Sequence, residues 1–138
     1  MNTAPRAALV TGGSRGIGAA TVRALAAAGY RVLAADILDD EGAALAEACG
    51  PKVGFQHLDV TSEADWLAAI DRVNSEFGAL EALVNNAGIL DLGDLTTESR
   101  STFQLVLDVN LVGAWLGMHC AASRMHPGSV IVNVSSTA

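Results

Sequence analysis

The turn from Thr11 to Gly18 constrains the fold of this chain most strongly, because its glycines include a Gly-x3-Gly-x-Gly pattern. A short apolar run, residues 7–10, precedes the turn, and an alanine-rich segment that ends near Gly29 follows it. This order predicts a strand, a tight turn and a helix, with glycines where the backbone bends or is closely approached. The N–H groups that begin such a helix bind anions such as a diphosphate. Taken alone, the motif is equally compatible with a tight turn that binds nothing.

Apolar runs alternate with helical patterns along the whole chain, which is typical of a parallel sheet wound by crossover helices. A composition with 51% hydrophobic residues and 14 glycines suits such a buried sheet. We therefore predict one α/β domain over residues 1–138 with a doubly wound parallel sheet. Strands are expected near 6–11, 31–35, 53–58, 80–84 and 129–134, and helices near 16–28, 40–49, 63–77 and 99–124.

Two of the predicted helices carry more detailed signals. Ser62 is the expected N-cap of the helix near 63–77, with Asp65 as its capping-box partner. Apolar residues recur in that helix at the spacing of a sheet-facing stripe: Trp66, Ile70, Val73 and Phe77. Residues 103–118 of the last helix are apolar on more than one face, which predicts that one side meets the sheet and the other meets more protein.

Charge and composition exclude several classes of protein. The net charge is -7 with eight basic residues, which disfavours a nucleic-acid partner. We expect no signal peptide and no membrane span, because no apolar run approaches the roughly 20 residues that a span needs. Cys49 and Cys120 lack metal-ligand spacing, so they are interpreted as reduced packing cysteines of a cytoplasmic protein without a metal site.

A polar or glycine-containing motif follows each of the five predicted strands. In chain order these are Thr11–Gly18, Asp36, Asp59-Val60, Asn85–Gly88 and Ser135-Ser136. Right-handed crossovers bring the carboxyl ends of parallel strands to one edge of the sheet, where ligands bind at the point at which strand order reverses. The sequence therefore predicts one binding crevice built from all five motifs.

The position of Asp36 indicates the ligand. It lies 18 residues beyond Gly18, near the ~20 expected for the acid that holds an adenosine ribose. A carboxylate accepts hydrogen bonds from ribose hydroxyls and repels a 2′-phosphate, which favours NAD over NADP. Arg15 argues the other way, because a cation in the turn can pair with that phosphate. The alternative is that Asp36 is a solvated turn residue beside Asp39 and Asp40.

Together these motifs resemble the N-terminal half of a short-chain dehydrogenase/reductase, over residues 6–138. The resemblance is carried by Thr11–Gly18, Asp36, Asp59-Val60, Asn85–Gly88, Asn110 within Val109-Asn110-Leu111, and Asn133–Ser136. It implies a Rossmann fold, here truncated after the fifth strand. It also implies an NAD(P)-dependent oxidoreductase that moves a hydride between a nicotinamide and a secondary alcohol or ketone.

The resemblance further implies which residues contact the cofactor. Those of the turn are Gly12, Ser14, Arg15, Gly16, Ile17 and Gly18, with Ile17 near the nicotinamide. Asp59 and Val60 would recognise the adenine edge. Asn86, Ala87 and Gly88 would run along the adenosine ribose.

Two catalytic residues are implied in the same way. Asn110 matches the asparagine that helps to position a proton-relay water. Ser136 matches the serine that hydrogen-bonds the reacting oxygen, with Ser135 as the alternative. Hydride transfer to a carbonyl builds negative charge on oxygen, so aimed donors and a proton source are needed there.

The chain departs from the family at its acid/base pair. The family carries Tyr-x3-Lys shortly after the serine, whereas the one tyrosine here is Tyr30 and the one lysine is Lys52. We therefore expect negligible dehydrogenase activity from this polypeptide alone. We also expect the fifth strand, with Val130, Ile131 and Val132, to form an apolar sheet edge that pairs with another chain or aggregates.

Two other functions compete with this interpretation. One is a non-catalytic, stand-alone dinucleotide-binding module. The other is a methyl donor-binding Rossmann protein, against which the glycine spacing and Asn85–Gly88 argue. Small-molecule substrates from steroids to simple alcohols remain open, and full-length family members are expected to form homo-oligomers, partly through the helix that contains Trp115.

Overall fold

Five parallel strands in the order β3-β2-β1-β4-β5 form the sheet of the computed structural model, which describes residues 4–137. The strands are β1 Arg6–Thr11, β2 Arg31–Asp36, β3 Val53–His57, β4 Ala79–Asn85 and β5 Val130–Asn133. The helices are α1 Gly16–Ala27, α2 Asp39–Cys49, α3 Glu63–Arg72, α4 Arg100–Leu107 and α5 Gly113–Ala122. This arrangement confirms the predicted doubly wound α/β fold, with element bounds shifted by one or two residues at several ends.

Each face of the sheet is covered by its own apolar cluster. Side chains alternate between faces along a strand, so Leu9 and Leu33 join one cluster while Val10 and Val32 join the other. The first cluster packs against α3 and α5, and the second against α1 and α2. Strand order reverses between β1 and β4, which neighbour each other although they are far apart in sequence.

Helix α3 begins and packs as its sequence predicts, with one correction. Ser62 is its N-cap and accepts a hydrogen bond from Asp65 N at 3.2 Å. The capping-box interpretation of Asp65 is wrong, since its Oδ2 accepts from Asp59 N at 2.9 Å. The predicted stripe is buried, and Trp66 Nε1 donates to Val60 O at 2.9 Å. The helix then ends in a π-helical turn, Val73–Phe77, which the sequence did not reveal.

The last helical segment is continuous but contains a second π-helical turn, Asp108–Val112, between α4 and α5. One face meets the sheet through Leu116, Cys120 and Ala121. Only α5 is buried in this way, because α4 and the π-helical turn contain no buried residue, so the second side predicted to meet more protein is exposed. The large apolar side chains that are exposed along this segment are Phe103, Leu105, Leu111 and Trp115.

Arg100–Ala122 is also long and apolar enough to cross a membrane by length and composition alone. The sequence expectation that no segment approaches that length is therefore wrong. A single such helix is weak evidence for a span, since sheet-packed helices pass the same test. The absence of a membrane partner stays a prediction.

Strand β5 is an exposed edge. It pairs with β4 alone among the described strands, and every one of its residues is exposed. Val130 is 51% exposed and Val132 is 48% exposed. The predicted apolar edge is thus confirmed.

Candidate functional site

The glycine turn brings backbone and helix together at the carboxyl end of β1. Gly12 and Gly16 have φ angles of +60° and +55°, a region that favours glycine. A Cβ on Gly18 would overlap the carbonyl oxygen of Gly12 and lie 2.7 Å from Asn86 Nδ2. Gly16 has no atom within 4 Å of its hypothetical Cβ, so it faces open space. Gly18 permits close packing, whereas Gly16 leaves room for a ligand.

Asp36 holds the glycine turn against the end of β2. Its Oδ2 accepts from Ser14 N at 3.0 Å, and its Oδ1 accepts from Ile37 N at 2.8 Å and Leu38 N at 3.3 Å. Ser14 is buried, and its hydroxyl donates to Leu38 O at 3.3 Å. Asp36 is therefore oriented by backbone donors, unlike a freely solvated turn residue.

Arg15 is the N-cap residue of α1, yet its side chain makes no capping hydrogen bond. The side chain is exposed, as is that of Ile17, which is 69% exposed. The first turn of α1 carries no acidic residue. The N–H groups that begin this helix are thus left without a side-chain cap and favour an anion.

The segment after β3 is held by its own hydrogen bonds and by the last helix. Asp59 is half-buried, and its Oδ1 accepts from Thr61 N at 2.9 Å and Thr61 Oγ1 at 2.7 Å. Val60 is buried and packs tightly on the last helix, where a Cβ on Gly113 would lie 2.6 Å from its Cγ2. These contacts fix both residues that the resemblance assigns to adenine recognition.

The end of β4 is joined to the glycine turn through Thr11 and Asn86. The buried hydroxyl of Thr11 accepts from Asn86 N and from Ala87 N, both at 3.1 Å. Asn86 Nδ2 donates to Thr11 O at 3.1 Å and to Gly12 O at 3.2 Å. Sequence reasoning missed Thr11 as a positioning residue, although a hydroxyl directly before the glycines was the available signal.

A cleft of about 360 Å³ opens at this edge of the sheet, where strand order reverses. It is lined by most of the predicted cofactor residues: Gly12, Arg15, Gly16, Ile17, Gly18, Asp36, Asp59, Val60, Asn86, Ala87 and Gly88. Ser14 lies beneath the surface and acts through its bonds to Asp36 and Leu38. Apolar lining residues outside the predicted set of cofactor contacts are Ile37, Leu38, Leu58, Ile89 and Val109.

The two predicted catalytic residues lie outside the lining of this cleft. Asn110 is in the π-helical turn, where its Nδ2 donates to Ile89 O and its Oδ1 accepts from Ile89 N, both at 2.8 Å. Its side chain thus clamps the loop that follows β4. Ser136, like Ser135, is exposed beyond the end of β5. Their catalytic roles stay predictions.

Within residues 4–137, no cluster of three or more His, Cys, Asp or Glu side chains is arranged to hold a metal ion. The ionisable side chains near the cleft include His57, which lies beside Asp39 at 2.7 Å. This hydrogen bond raises the pKa of His57 above its usual value, and burial opposes the shift.

The strand order and the glycine turn at its reversal define a Rossmann-type α/β protein. The family model described as short chain dehydrogenase matches residues 6–138. The chain therefore belongs to the short-chain dehydrogenase family, as the motifs predicted.

Several relatives and a solved structure are similar to this chain. A 3-alpha-(or 20-beta)-hydroxysteroid dehydrogenase of Mycobacterium tuberculosis is 44% identical over 133 residues, which cover 95% of this chain and 51% of that protein. A trans-4-hydroxycyclohexanecarboxylate dehydrogenase of Sinomonas cyclohexanicum is 39% identical, with 98% and 56% covered. A mutant short-chain dehydrogenase/reductase of Serratia marcescens has a TM-score of 0.89 and 36% identity, with 96% and 56% covered. The chain spans about half the length of these relatives.

Proposed function

We propose that this chain is the cofactor-binding portion of an NAD-dependent oxidoreductase that moves a hydride between a nicotinamide and a secondary alcohol or ketone. The cleft at the strand reversal carries the proposal, because it gathers motifs from the ends of β1, β2, β3 and β4. Any one of these motifs is weak evidence of binding. The fold brings strand ends together in any case, but here the motif residues themselves line the cleft, which supports the proposal more strongly than any one motif does.

The residues present fit a nicotinamide dinucleotide. Gly16 faces open space at the uncapped start of α1, which suits a diphosphate. Asp36 presents an oriented carboxylate, which we assign to the ribose hydroxyls, and Asp59 and Val60 line the same cleft, which supports their assignment to the adenine. When bound, the nicotinamide supplies or accepts the hydride, while the protein binds, orients and provides protons.

Asp36 is the proposed determinant of NAD over NADP. Substituting Asp36→Asn removes the negative charge but keeps the size and one acceptor oxygen. We expect NADH affinity to fall about tenfold, the effect of roughly 1.4 kcal/mol of lost charge-assisted bonding. NADPH affinity is expected to rise, since the charge that repels its 2′-phosphate is gone. Fluorescence titration of the 138-residue protein with both cofactors measures both effects.

Asp40→Asn is the matched control, because Asp40 is exposed and lies outside the cleft lining. It removes the same charge from the same region and should leave the ratio of NADH to NADPH affinity unchanged. If Asp36→Asn and Asp40→Asn alter this ratio equally, the ribose assignment is wrong.

The substrate class is proposed from the family and its members. The names of the relatives describe dehydrogenases of hydroxysteroids and of trans-4-hydroxycyclohexanecarboxylate, and another relative is a (+)-borneol dehydrogenase of Salvia officinalis. Each name points to a small molecule with a hydroxyl group. We extend to this chain only that shared class, a small-molecule alcohol or its ketone.

In the proposed reaction Ser136 hydrogen-bonds the reacting oxygen and Asn110 helps to position a proton-relay water. A proton source with a tuned pKa is also needed. Because Tyr30 and Lys52 are the one tyrosine and the one lysine in the 138 residues, we expect this polypeptide alone to bind NADH without turnover. Steady oxidation of NADH by the purified polypeptide with cyclic ketones would contradict this.

A non-catalytic dinucleotide-binding module is the second candidate, because the same cleft would bind a dinucleotide whether or not catalysis follows. The gene decides between them. An in-frame Tyr-x3-Lys pair soon after codon 138 supports the oxidoreductase, and a stop codon at that point supports the module.

We further propose a cytoplasmic protein that forms homo-oligomers through the exposed face of the last helix and binds neither nucleic acid nor membrane.

A further inference from the structure

The side-chain amide of Asn85 bridges the end of β4 to β5 and to α5. Asn85 Nδ2 donates to Asn133 Oδ1 at 2.9 Å and to Ala114 O at 3.4 Å. Asn85 and Asn133 are register partners, and Val134 N donates to Asn85 O at 2.9 Å. A side-chain bond and a backbone bond therefore cross between the strands immediately before Ser135-Ser136.

Packing alone does not explain an asparagine at position 85. Asn85 is 5% exposed, and its Oδ1 has no hydrogen-bond partner among residues 4–137. A Cβ on Gly117 would lie 2.6 Å from that oxygen, so the backbone of α5 closes over it. A buried oxygen without a conventional partner destabilises a protein and calls for an explanation. The two hydrogen bonds that Asn85 Nδ2 donates explain why an asparagine is present, because they fix the position of the end of β5.

Apolar packing contributes little to that position. All four residues of β5, including Asn133, are exposed. The next residue, Asn86, bonds to β1 on the other side of β4, because its Nδ2 donates to Thr11 O and Gly12 O. Strand β4 lies between β1 and β5, so Asn86 contacts the glycine turn on one side and Asn85 contacts the end of β5 on the other.

We propose that Asn85 and Asn133 are positioning residues that hold the Ser136 segment at a fixed place relative to the helix bearing Asn110. Ala114, which accepts the second bond from Asn85, lies about one turn after Asn110 in that helix. The bridge acts separately from the cofactor turn that Asn86 holds. The inference rests on the proposed function, because the place of Ser136 matters only if it binds a reacting oxygen.

The test compares Asn133→Leu with Asn133→Asp in the 138-residue protein. Leucine removes the acceptor, whereas aspartate keeps an oxygen for Asn85 Nδ2 and acts as the conservative rescue. Because Asn133 is exposed, neither change disturbs the core. Amide hydrogen exchange by NMR reports local opening, and NADH titration reports the cofactor turn.

We expect Asn133→Leu to speed exchange of the Val134 amide by about tenfold and to shift the Ser135 and Ser136 resonances. Exchange in β1 and NADH affinity should stay within about twofold of the wild type, and Asn133→Asp should restore the wild-type pattern. Unchanged exchange at Val134, an equal rise in β1, or failure of aspartate to rescue would overturn the inference. If the wild type does not bind NADH, the proposed function fails, while the exchange data still decide whether the bridge holds β5.

Discussion

At the residue scale, His57 shows how a surface pair can reinforce the edge of the cleft. It ends β3, and its Nδ1 lies 2.7 Å from Asp39 Oδ1, in the first turn of α2. The hydrogen bond that His57 donates to Asp39 raises the pKa of His57, burial opposes this, and the charges of Asp39, Asp65 and Asp59 raise it further. The protonated histidine therefore ties β3 to the start of the helix that follows Asp36.

This geometry predicts a pH-dependent stability contribution. Because the pKa of His57 is higher in the folded state, the contribution is complete below the unfolded pKa of about 6.5 and is lost as pH rises through the folded value. The melting temperature of His57→Gln should therefore fall below that of the wild type at about pH 5.5 and converge with it at about pH 9. Thermal denaturation at both pH values measures the difference. A constant gap would show that the pair does not titrate, and Asp39→Asn, which removes the partner, should show the same convergence.

At the scale of elements, the packing of the glycine turn on α1 depends on Gly18. An alanine Cβ there would overlap the carbonyl oxygen of Gly12 and crowd Asn86 Nδ2. The carbonyl of Gly12 belongs to the backbone and cannot move aside as a flexible side chain would. We therefore expect Gly18→Ala to lower the free energy of unfolding by about 1–3 kcal/mol and to weaken NADH binding. Urea unfolding and NADH titration measure the two effects.

Gly29→Ala is the control for this prediction. Gly29 has a φ of +97° and open space around its Cβ, and it lies outside the cleft lining. Alanine there should lose stability through backbone strain and keep its NADH affinity. Wild-type affinity in Gly18→Ala would instead mean that the turn tolerates displacement.

Local patterns explain which elements could be predicted. The alternation of apolar and helical segments placed all five strands, and the glycine spacing together with Asp36 placed the turn that now borders the cleft. The hydroxyl directly before the glycines was a signal for Thr11, but the hydrogen-bond partners of Thr11 and Asp65 could not be predicted, because they are set by how β1, β4 and the segment after β3 come together. The sequence also did not predict either π-helical turn, because one inserted residue barely alters the spacing of an apolar stripe.

At the scale of the whole molecule, two of the exposed apolar surfaces within residues 4–137 bear on association between chains. One is the helix face with Leu111 at 64% and Trp115 at 53% exposure, and the other is the edge strand β5. Exposed patches of this kind favour association between chains. The helix face is rigid and needs no new backbone pairing, so we expect it to dominate self-association, with the ring of Trp115 stacked on His119 at 4.8 Å.

The double variant Leu111→Gln with Trp115→Gln should therefore shift the protein toward the monomer, by at least about tenfold in dissociation constant, because buried aromatic residues dominate interfaces. Sedimentation velocity over a concentration series measures this, with circular dichroism to verify that the variant is folded. Leu95→Gln is the matched control, since Leu95 is 94% exposed but lies in the loop before α4. If association survives the double variant, the contact between chains does not lie on this helix face. Val132→Lys then tests whether the chains associate through β5, because a charge on an edge strand suppresses strand pairing.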